Sequence, residues 1–233
     1  DGDAVWANRR GDSFVNPFMK EVWDYNVEIA IEAAKMGFQE IQFDYVRFPE
    51  GFEKRHDVLK YSLGDYENSE LDPVQRRVEA VTDFVAYAKK QLEPYGVDVS
   101  VDIFGYSATL PEAPGIGQNF SKISENVDVI SSMIYPSHWT SYFGIAKPDL
   151  APYELVDAYA KVENTKLGEL ESPPISRPWL QDFTASWLGN GNYLKYGKKE
   201  VEAQIKALQD NGIHEFLLWN AGNTYTENVD YTP

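Results

Sequence analysis

The feature that most constrains the fold is a regular alternation of apolar, strand-like runs with amphipathic helical patterns. Strand-like runs are predicted at 4–8, 40–49, 97–106, 128–139, 177–187 and 215–225. Helical patterns separate most of them, at 16–37, 72–96, from 152 onward, and at about 198–211. Strands that alternate with helices in series pair in parallel, with the helices as crossovers. The sequence therefore predicts an α/β fold with a parallel sheet.

The number of strands specifies the kind of α/β fold. Six strands are predicted, whereas a closed (β/α)8 barrel has eight. The first run continues into WANRRGD, which is typical of a strand end already inside a barrel. We therefore expect a TIM-type barrel that lacks the first one or two βα units. With 233 residues, 43% of them hydrophobic, residues 1–233 are expected to form a single domain.

Composition excludes several classes of partner. The net charge of -16 disfavours contact with nucleic acid and with anionic membrane surfaces. No apolar run is long enough to span a membrane. Cysteine is absent and the three histidines are scattered, so the sequence predicts no disulfide, no metal site and no cofactor. The sequence gives no indication of oligomeric state. A neutral or cationic ligand suits its negative net charge best.

Polar and aromatic side chains cluster where the predicted strands end. Catalytic groups of a parallel barrel lie at that face. Tryptophan and tyrosine rings cover the apolar faces of sugars, amide and charged groups bridge sugar hydroxyls, and glycosidic cleavage needs two carboxyl groups. We therefore predict a carbohydrate site. Its candidate residues are Asp44, Arg47, Asp102, Tyr135, His138, Trp139, Trp179, Gln181, Asp182, Trp219 and Asn220.

Asp44 and Asp102 are the predicted catalytic pair. One is the acid and the other the nucleophile or base, and the sequence does not decide which is which. They end adjacent strands, which lie about 4.8 Å apart in a sheet. Carboxyl groups about 5–5.5 Å apart imply retention of configuration, and about 6.5–9.5 Å implies inversion. Arg47 near Asp44 would favour its ionised form and leave Asp102 as the proton donor. In the structural alternative, Asp44 and Arg47 form an ion pair at the barrel rim, and Asp102 caps a loop or holds Arg47 in place.

The remaining candidates have structural alternatives as well. Five aromatic residues are too many for one sugar surface, so about half of them are expected to pack under helices. They are Tyr135, Trp139, Trp179, Trp187 and Trp219. His138 is a candidate for chemistry or, equally, a hydrogen-bonded positioning residue. Gln181 and Asp182 are adjacent on a strand, so one points inward and the other toward the helices.

Five blocks of the sequence, in this order, carry a resemblance to a known family: GFQEIQFDYVRFPE, VDIFGY, MIYPSHW, RPWLQDF and LLWNAGNTY. They resemble a bacterial family of glycoside-hydrolase-like domains whose signature is the FDYxRFP strand. The resemblance covers nearly the whole chain. It implies a TIM barrel of glycosidase type with Asp44 and Asp102 as the candidate catalytic carboxylates.

A more distant resemblance links EIQFDYVRFP and SSMIYPSH to strands 4 and 6 of chitinase-type barrels. Asp44 stands where those enzymes have glutamate, and Gln42 stands where they have aspartate. This departure puts catalysis assisted by a substrate N-acetyl group in doubt.

These observations predict a glycoside hydrolase that cleaves O-glycosidic bonds in a poly- or oligosaccharide. One alternative is a non-catalytic barrel that binds glycan of the cell envelope, which would need the aromatic residues but not two close carboxylates. Another is a metal-dependent hydrolase, which would need at least three histidine or carboxylate ligands. An acidic, cysteine-free, glycan-directed domain is expected outside a bacterial cell or on its surface.

Overall fold

The structure, a computed structural model, describes residues 4–232. Its α-helices are α1 (Lys20–Lys35), α2 (Pro73–Leu92), α3 (Tyr106–Thr109), α4 (Phe120–Ser124), α5 (Pro152–Gly168) and α6 (Lys198–Asp210). Its β-strands are β1 (Glu40–Phe43), β2 (Asp98–Phe104), β3 (Val129–Met133), β4 (Ile175–Ser176), β5 (Trp179–Gln181) and β6 (Leu217–Trp219). The α/β prediction is confirmed, because strands and long helices alternate along the chain.

The chain divides into two compact units. The first extends up to Val101 and includes Leu110–Asp128. The second comprises Asp102–Thr109 and the chain from Val129 onward, so β2 contributes residues to both units. The prediction that residues 1–233 form a single domain stays a prediction.

In the first unit, β1 and β2 pair in parallel. Glu40 lies opposite Asp98, and Phe43 lies opposite Val101. Helix α2 covers this unit with an apolar face whose residues recur every three or four positions, as the sequence predicted. The buried members of that face are Val78, Val81, Val85, Ala88 and Leu92.

In the second unit, β3 pairs in parallel with β4 and then with β5, and β5 pairs in parallel with β6. Met133 lies opposite Trp179, and Gln181 lies opposite Trp219. Helices α5 and α6 pack against each other and cover this unit. The face that α6 buries consists of Val201, Gln204, Ile205, Ala207 and Leu208.

The start of α2 is the one that the sequence predicts. Asp72 Oδ1 accepts hydrogen bonds from Val74 N at 2.8 Å and from Gln75 N at 3.0 Å. Pro73, whose ring fixes φ and which has no N–H to satisfy, occupies the first helical position. The side chain therefore satisfies two of the helix's otherwise unpaired donors.

The start of α1 differs from the prediction. The helical pattern begins at residue 16, whereas the helix itself begins at Lys20. Asn16 Oδ1 accepts from Phe18 N at 3.0 Å and closes a turn ahead of the helix. The predicted stop is confirmed: Gly37 follows the helix with φ at +102°, a backbone conformation that favours glycine.

The predicted strand at 4–8 is wrong. This segment forms only an isolated antiparallel bridge between Ala7 and Ser13. Asn8 Oδ1 accepts from Arg10 N and from Asp12 N, both at 2.9 Å, so the asparagine stabilises a turn. A local side-chain bond to the backbone therefore replaces a strand ladder here.

The sixth strand lies instead in the proline-rich connection before Trp179. Residues Ile175–Ser176 pair with β3 as β4, and Arg177 N continues the pairing by donating to Ile130 O over 3.0 Å. Pro178, which has no N–H, separates β4 from β5. The other predicted strands are present but shorter, because their polar and aromatic ends are loops.

One helix side chain ties α6 to the end of β5. Gln204 Oε1 accepts from Gln181 N at 2.9 Å, and Gln204 Nε2 donates to Gln181 O at 2.8 Å. Both glutamines are fully buried. The amide of Gln204 thus satisfies both backbone polar groups of the last β5 residue, as a neighbouring peptide would.

Candidate active site

Asp102 is a buried carboxylate on β2, with 6% of its surface exposed. Trp179 Nε1, on β5, donates a hydrogen bond to Asp102 Oδ1 over 2.9 Å. Trp179 also contacts Trp219 edge to face, with ring centroids 6.0 Å apart. Because Trp219 is 43% exposed, this chain of contacts links an oriented carboxylate to an accessible aromatic surface. Three residues predicted for the site therefore lie together in the second unit.

Gln181, predicted to bind substrate, is held on three sides by the protein. Its Nε2 donates to Asp149 Oδ1 at 2.9 Å and to the carbonyl of Phe183 at 3.1 Å. Its Oε1 accepts from Ser137 N at 3.0 Å. We call this arrangement the Gln181 clamp; it joins the loop after β3 to the loop after β5.

Asp149 is a buried group that sequence reasoning missed. It is 2% exposed, and its Oδ2 accepts from Leu194 N at 3.1 Å. Burial raises the pKa of this carboxyl, and the hydrogen bonds from Gln181 and Leu194 act in the opposite direction. Asp149 stands in a 3-10 turn, Pro148–Leu150, just before α5 and away from any predicted strand end, so the sequence offered no signal for it.

Asp182 and Asn220 form a second buried connection. Asp182 is 3% exposed, and its two oxygens accept from Thr226 N at 2.8 Å and from Thr226 Oγ1 at 2.6 Å. Asn220 Nδ2 donates to Asp182 O at 2.6 Å, while its Oδ1 accepts from Gly222 N at 2.8 Å. These two predicted binding residues therefore hold the chain after β6 against the end of β5.

Four rings form a continuous cluster in the second unit, which we call the aromatic platform: Tyr135, His138, Phe183 and Trp187. Tyr135 lies 5.3 Å from His138 and 5.8 Å from Phe183, between ring centroids. Trp187 stacks on Phe183 at 5.9 Å with planes 22° apart. Tyr135 is buried, whereas His138 is exposed and Trp187 is 65% exposed. The platform thus has a buried base and an accessible edge.

Trp139, also predicted for the binding shell, packs among aromatic residues under α5. Its ring lies 5.1 Å from Tyr142 and 6.0 Å from Tyr159 on that helix. Gly105 permits this packing, because a Cβ at that position would meet Met133 O at 2.5 Å and the Trp139 ring at 3.2 Å. Trp139 follows the expectation that some of the aromatic residues pack under helices.

Asp44 lies in the first unit, directly after β1, and is exposed. Its Oδ1 accepts from Tyr45 N at 2.7 Å. Arg47 has an 8% exposed side chain, lies 4.8 Å from the Tyr45 ring centroid and forms an ion pair with Glu50 at 3.6 Å. Phe43 and Val101 are opposite each other in the β1–β2 ladder, and Asp44 and Asp102 are the residues that follow them in sequence.

A cavity of about 450 Å³ opens on the first unit beside Phe48 and Pro49, where the FDYVRFP stretch ends. Its other walls come from 4–6, 14–17, Phe52 and 58–61. Trp6 and Phe14 contact each other there at 5.6 Å. Among the described residues, none of the predicted site residues lines this cavity.

Glu163 is a further buried carboxyl, on α5 and away from the strand ends. It is 0% exposed, and Ser176 Oγ donates to its Oε1. Burial raises the pKa of Glu163 above its ordinary value.

Within residues 4–232, no three histidine or carboxylate side chains are grouped to hold a metal ion. In the same range, no helix is long and apolar enough to cross a membrane.

Comparison with solved structures identifies the fold. The glycoside hydrolase domain of PgaB (BpsB) from Bordetella bronchiseptica is 15% identical, with a TM-score of 0.59 over 93% of this chain and 64% of that one. The spore cortex-lytic enzyme SleL of Bacillus megaterium is 13% identical, with a TM-score of 0.55 over 90% of this chain and 52% of that one. A chitinase from Chromobacterium violaceum is 10% identical, with a TM-score of 0.56 over 91% of this chain and 70% of that one.

These likenesses confirm the predicted fold, a partial TIM-type barrel of parallel strands with flanking helices. The chain spans 64% and 52% of the length of the first two of these structures. A search of curated proteins found no significant match. A family model described as "Putative glycosyl hydrolase domain" matches residues 1–225, the five blocks of the sequence included. The chain therefore belongs to this family of glycosyl hydrolase domains.

Proposed function

We propose that this domain hydrolyses O-glycosidic bonds in a poly- or oligosaccharide, with Asp44 and Asp102 as acid and as nucleophile or base, in either order. The observation that carries the proposal is the contact between Asp102 Oδ1 and Trp179 Nε1 at 2.9 Å. A buried carboxylate oriented by an indole and linked to the exposed ring of Trp219 combines the two parts that such a site needs: a fixed carboxyl group and a sugar-stacking surface.

The chemistry follows from two carboxyl groups. One, protonated, gives its proton to the glycosidic oxygen as the C–O bond breaks and the leaving sugar departs as an alcohol. The other either bonds to the anomeric carbon or removes a proton from the attacking water. In the first case a water molecule then attacks the anomeric carbon, gives its proton to the first carboxyl group and releases the sugar from the enzyme. Either route ends with one water consumed per bond cleaved.

The first substrates to test come from the structural likenesses. The solved structures include chitinases and a spore cortex-lytic enzyme, as their names state. Chitin oligosaccharides and spore cortex glycan therefore lead the panel, followed by other bacterial and plant glycans. Because Asp44 and Gln42 depart from the chitinase pattern, hydrolysis is not expected to depend on a substrate N-acetyl group.

The decisive experiment compares wild type with Asp44→Asn, Asp102→Asn and the matched control Asp98→Asn. Asp98 begins the strand on which Asp102 lies and is exposed, so its replacement changes charge without touching the strand end. Loss of a true acid or nucleophile should lower the rate at least ~10²-fold. Thermal melting should show all three variants folded. The control should keep its rate.

The outcomes separate the candidates. If both strand-end variants lose activity and the control keeps it, the two-carboxylate mechanism stands. NMR of the first-formed anomer then gives retention or inversion. If glycans bind to wild type but are not cleaved, the domain is a glycan-binding barrel of the cell envelope instead. If wild type is active and Asp102→Asn stays active, the catalytic pair is misassigned.

A further inference from the structure

We propose that the aromatic platform is an outer sugar-binding subsite, with Trp187 as its stacking surface, for a pyranose unit of a β-1,4-linked chain. The proposal rests on the proposed function and deepens it by placing a substrate contact apart from Asp102, Trp179 and Trp219. Trp187 is not among the residues predicted for the site. Its indole is 65% exposed although it belongs to an ordered 3-10 turn, Ser186–Leu188.

The geometry of Trp187 favours stacking with a flat ligand. Its inner face is covered by Phe183, with planes 22° apart and centroids 5.9 Å apart. The ring is therefore held at a fixed orientation while most of its surface faces solvent. The His138 ring stands nearly perpendicular to it, at 85° and 6.4 Å, and borders the indole. A flat apolar face with a polar ring at its edge matches a sugar, which has an apolar C–H face and hydroxyls around its rim.

A network of hydrogen bonds around the buried Gln181 side chain supports the platform. Gln181 is fully buried and bonds both to Ser137 N, the residue before His138, and to Phe183 O. Asp149 holds the same amide from a third side at 2.9 Å. Ser137 Oγ lies 3.0 Å from His138 Nδ1. A single buried network thus fixes both loops that carry the exposed rings, which a binding surface needs and an accidental exposed tryptophan does not.

The flat surface favours sugar units whose ring substituents are equatorial. In β-1,4-linked glucose or N-acetylglucosamine chains the ring substituents are equatorial, so each unit presents a flat C–H face. The exposed part of the platform is one indole with the His138 ring at its edge, so it fits one such unit. No charged side chain belongs to the platform apart from the titratable His138, which favours a neutral sugar over a charged one.

The test uses Trp187→Ala, Trp187→Phe and the matched control Tyr25→Ala. Tyr25 is a 66% exposed aromatic residue on α1, outside both sites. Affinities are measured by titration calorimetry for chitohexaose and cellohexaose and for the disaccharides chitobiose and cellobiose. Asp102→Asn is added to each protein to prevent cleavage.

The expected result is a loss that depends on chain length. Trp187→Ala should bind the hexasaccharide about tenfold more weakly, equivalent to about 1.4 kcal/mol. Disaccharide affinity should stay within about twofold, because the shorter ligand is retained at the Trp219 surface. Trp187→Phe should restore part of the hexasaccharide affinity, and Tyr25→Ala should behave like wild type.

Three results would overturn the inference. One is unchanged hexasaccharide binding by Trp187→Ala. The second is an equal loss for both chain lengths, which would assign Trp187 to the central site. The third is that wild type binds none of these four sugars; activity of wild type on another glycan would then show that the subsite inference failed while the proposed function stood.

Discussion

Replacing Gln181 by leucine tests whether this predicted substrate-binding residue is in fact a structural clamp. Leucine has similar bulk but offers neither a donor nor an acceptor. The change removes the bonds to Asp149 Oδ1, Phe183 O and Ser137 N, which measure 2.9, 3.1 and 3.0 Å. All of them lie around a side chain with 0% exposure, so water cannot replace them without opening the structure.

The size of the effect follows from the groups left without partners. A buried donor or acceptor that loses its partner costs about 1–3 kcal/mol, so three of them cost about 6 kcal/mol together. Burying leucine in place of the amide returns about 2 kcal/mol. We therefore expect the free energy of unfolding to fall by about 4 kcal/mol. For a chain of this length the melting temperature should fall by roughly 8–16 °C.

The assay is chemical and thermal unfolding of Gln181→Leu beside Gln39→Leu. Gln39 is exposed and its side chain bonds only locally, to Gly37 O at 2.9 Å, so its replacement should change stability by less than about 0.5 kcal/mol. A Gln181→Leu protein that melts within 2 °C or so of wild type, on the scale of 2–4 °C per kcal/mol, would refute the reasoning. If that stable variant also failed to bind glycan, Gln181 would be a ligand contact after all.

Two further predictions concern stability. Burial raises the pKa of Glu163 above its ordinary value of 4.5, so at a pH between the two pKa values the folded protein holds a proton that the unfolded chain has released. The contribution of this group to the free energy of unfolding therefore falls as pH rises above 4.5. It levels off once the carboxyl of the folded protein ionises. Glu163→Gln, which keeps an acceptor for Ser176, should flatten the decline of unfolding free energy as pH rises above 4.5, and an unchanged slope would contradict this assignment. Asp72→Ala removes the cap of α2 and should cost about 1 kcal/mol in urea unfolding, whereas the exposed Asp65→Ala should cost almost nothing; equal losses would show that the cap contributes nothing specific.

Periodicity was sufficient for the helices and the fold class but not for strand ends. The face of α2 and its Asp72 start are local features, and each follows from a few neighbouring residues. Strand limits depend on which backbone groups find a ladder partner, and this is decided by distant segments. Ile175–Ser176 pairs with β3 across a sequence separation of 46 residues, as in Val129 opposite Ile175, and no local pattern marks it.

The candidate site shows the same division. The sequence pointed to Asp102, Trp179 and Trp219 through their position at strand ends, and the Trp179 side chain contacts the other two. The partners of Gln181 and Asp182 were out of reach, because Asp149 and Thr226 stand in irregular segments whose positions are fixed only by tertiary packing. The exposure of Trp187 was equally unreadable, since a tryptophan in a loop is more often buried than accessible.

The pair of hydrogen bonds between the Gln204 side chain and the backbone of Gln181 has a consequence for motion. It joins the last residue of β5 to α6, so the loop that carries Phe183 and Trp187 begins from a point that two hydrogen bonds anchor. Any rearrangement of that loop must pivot beyond residue 181. Because side-chain and loop ordering costs about 0.5–1.5 kcal/mol for each immobilised group, a surface already ordered before ligand arrives loses little entropy on binding. The residue from which this loop starts therefore belongs to the scaffold.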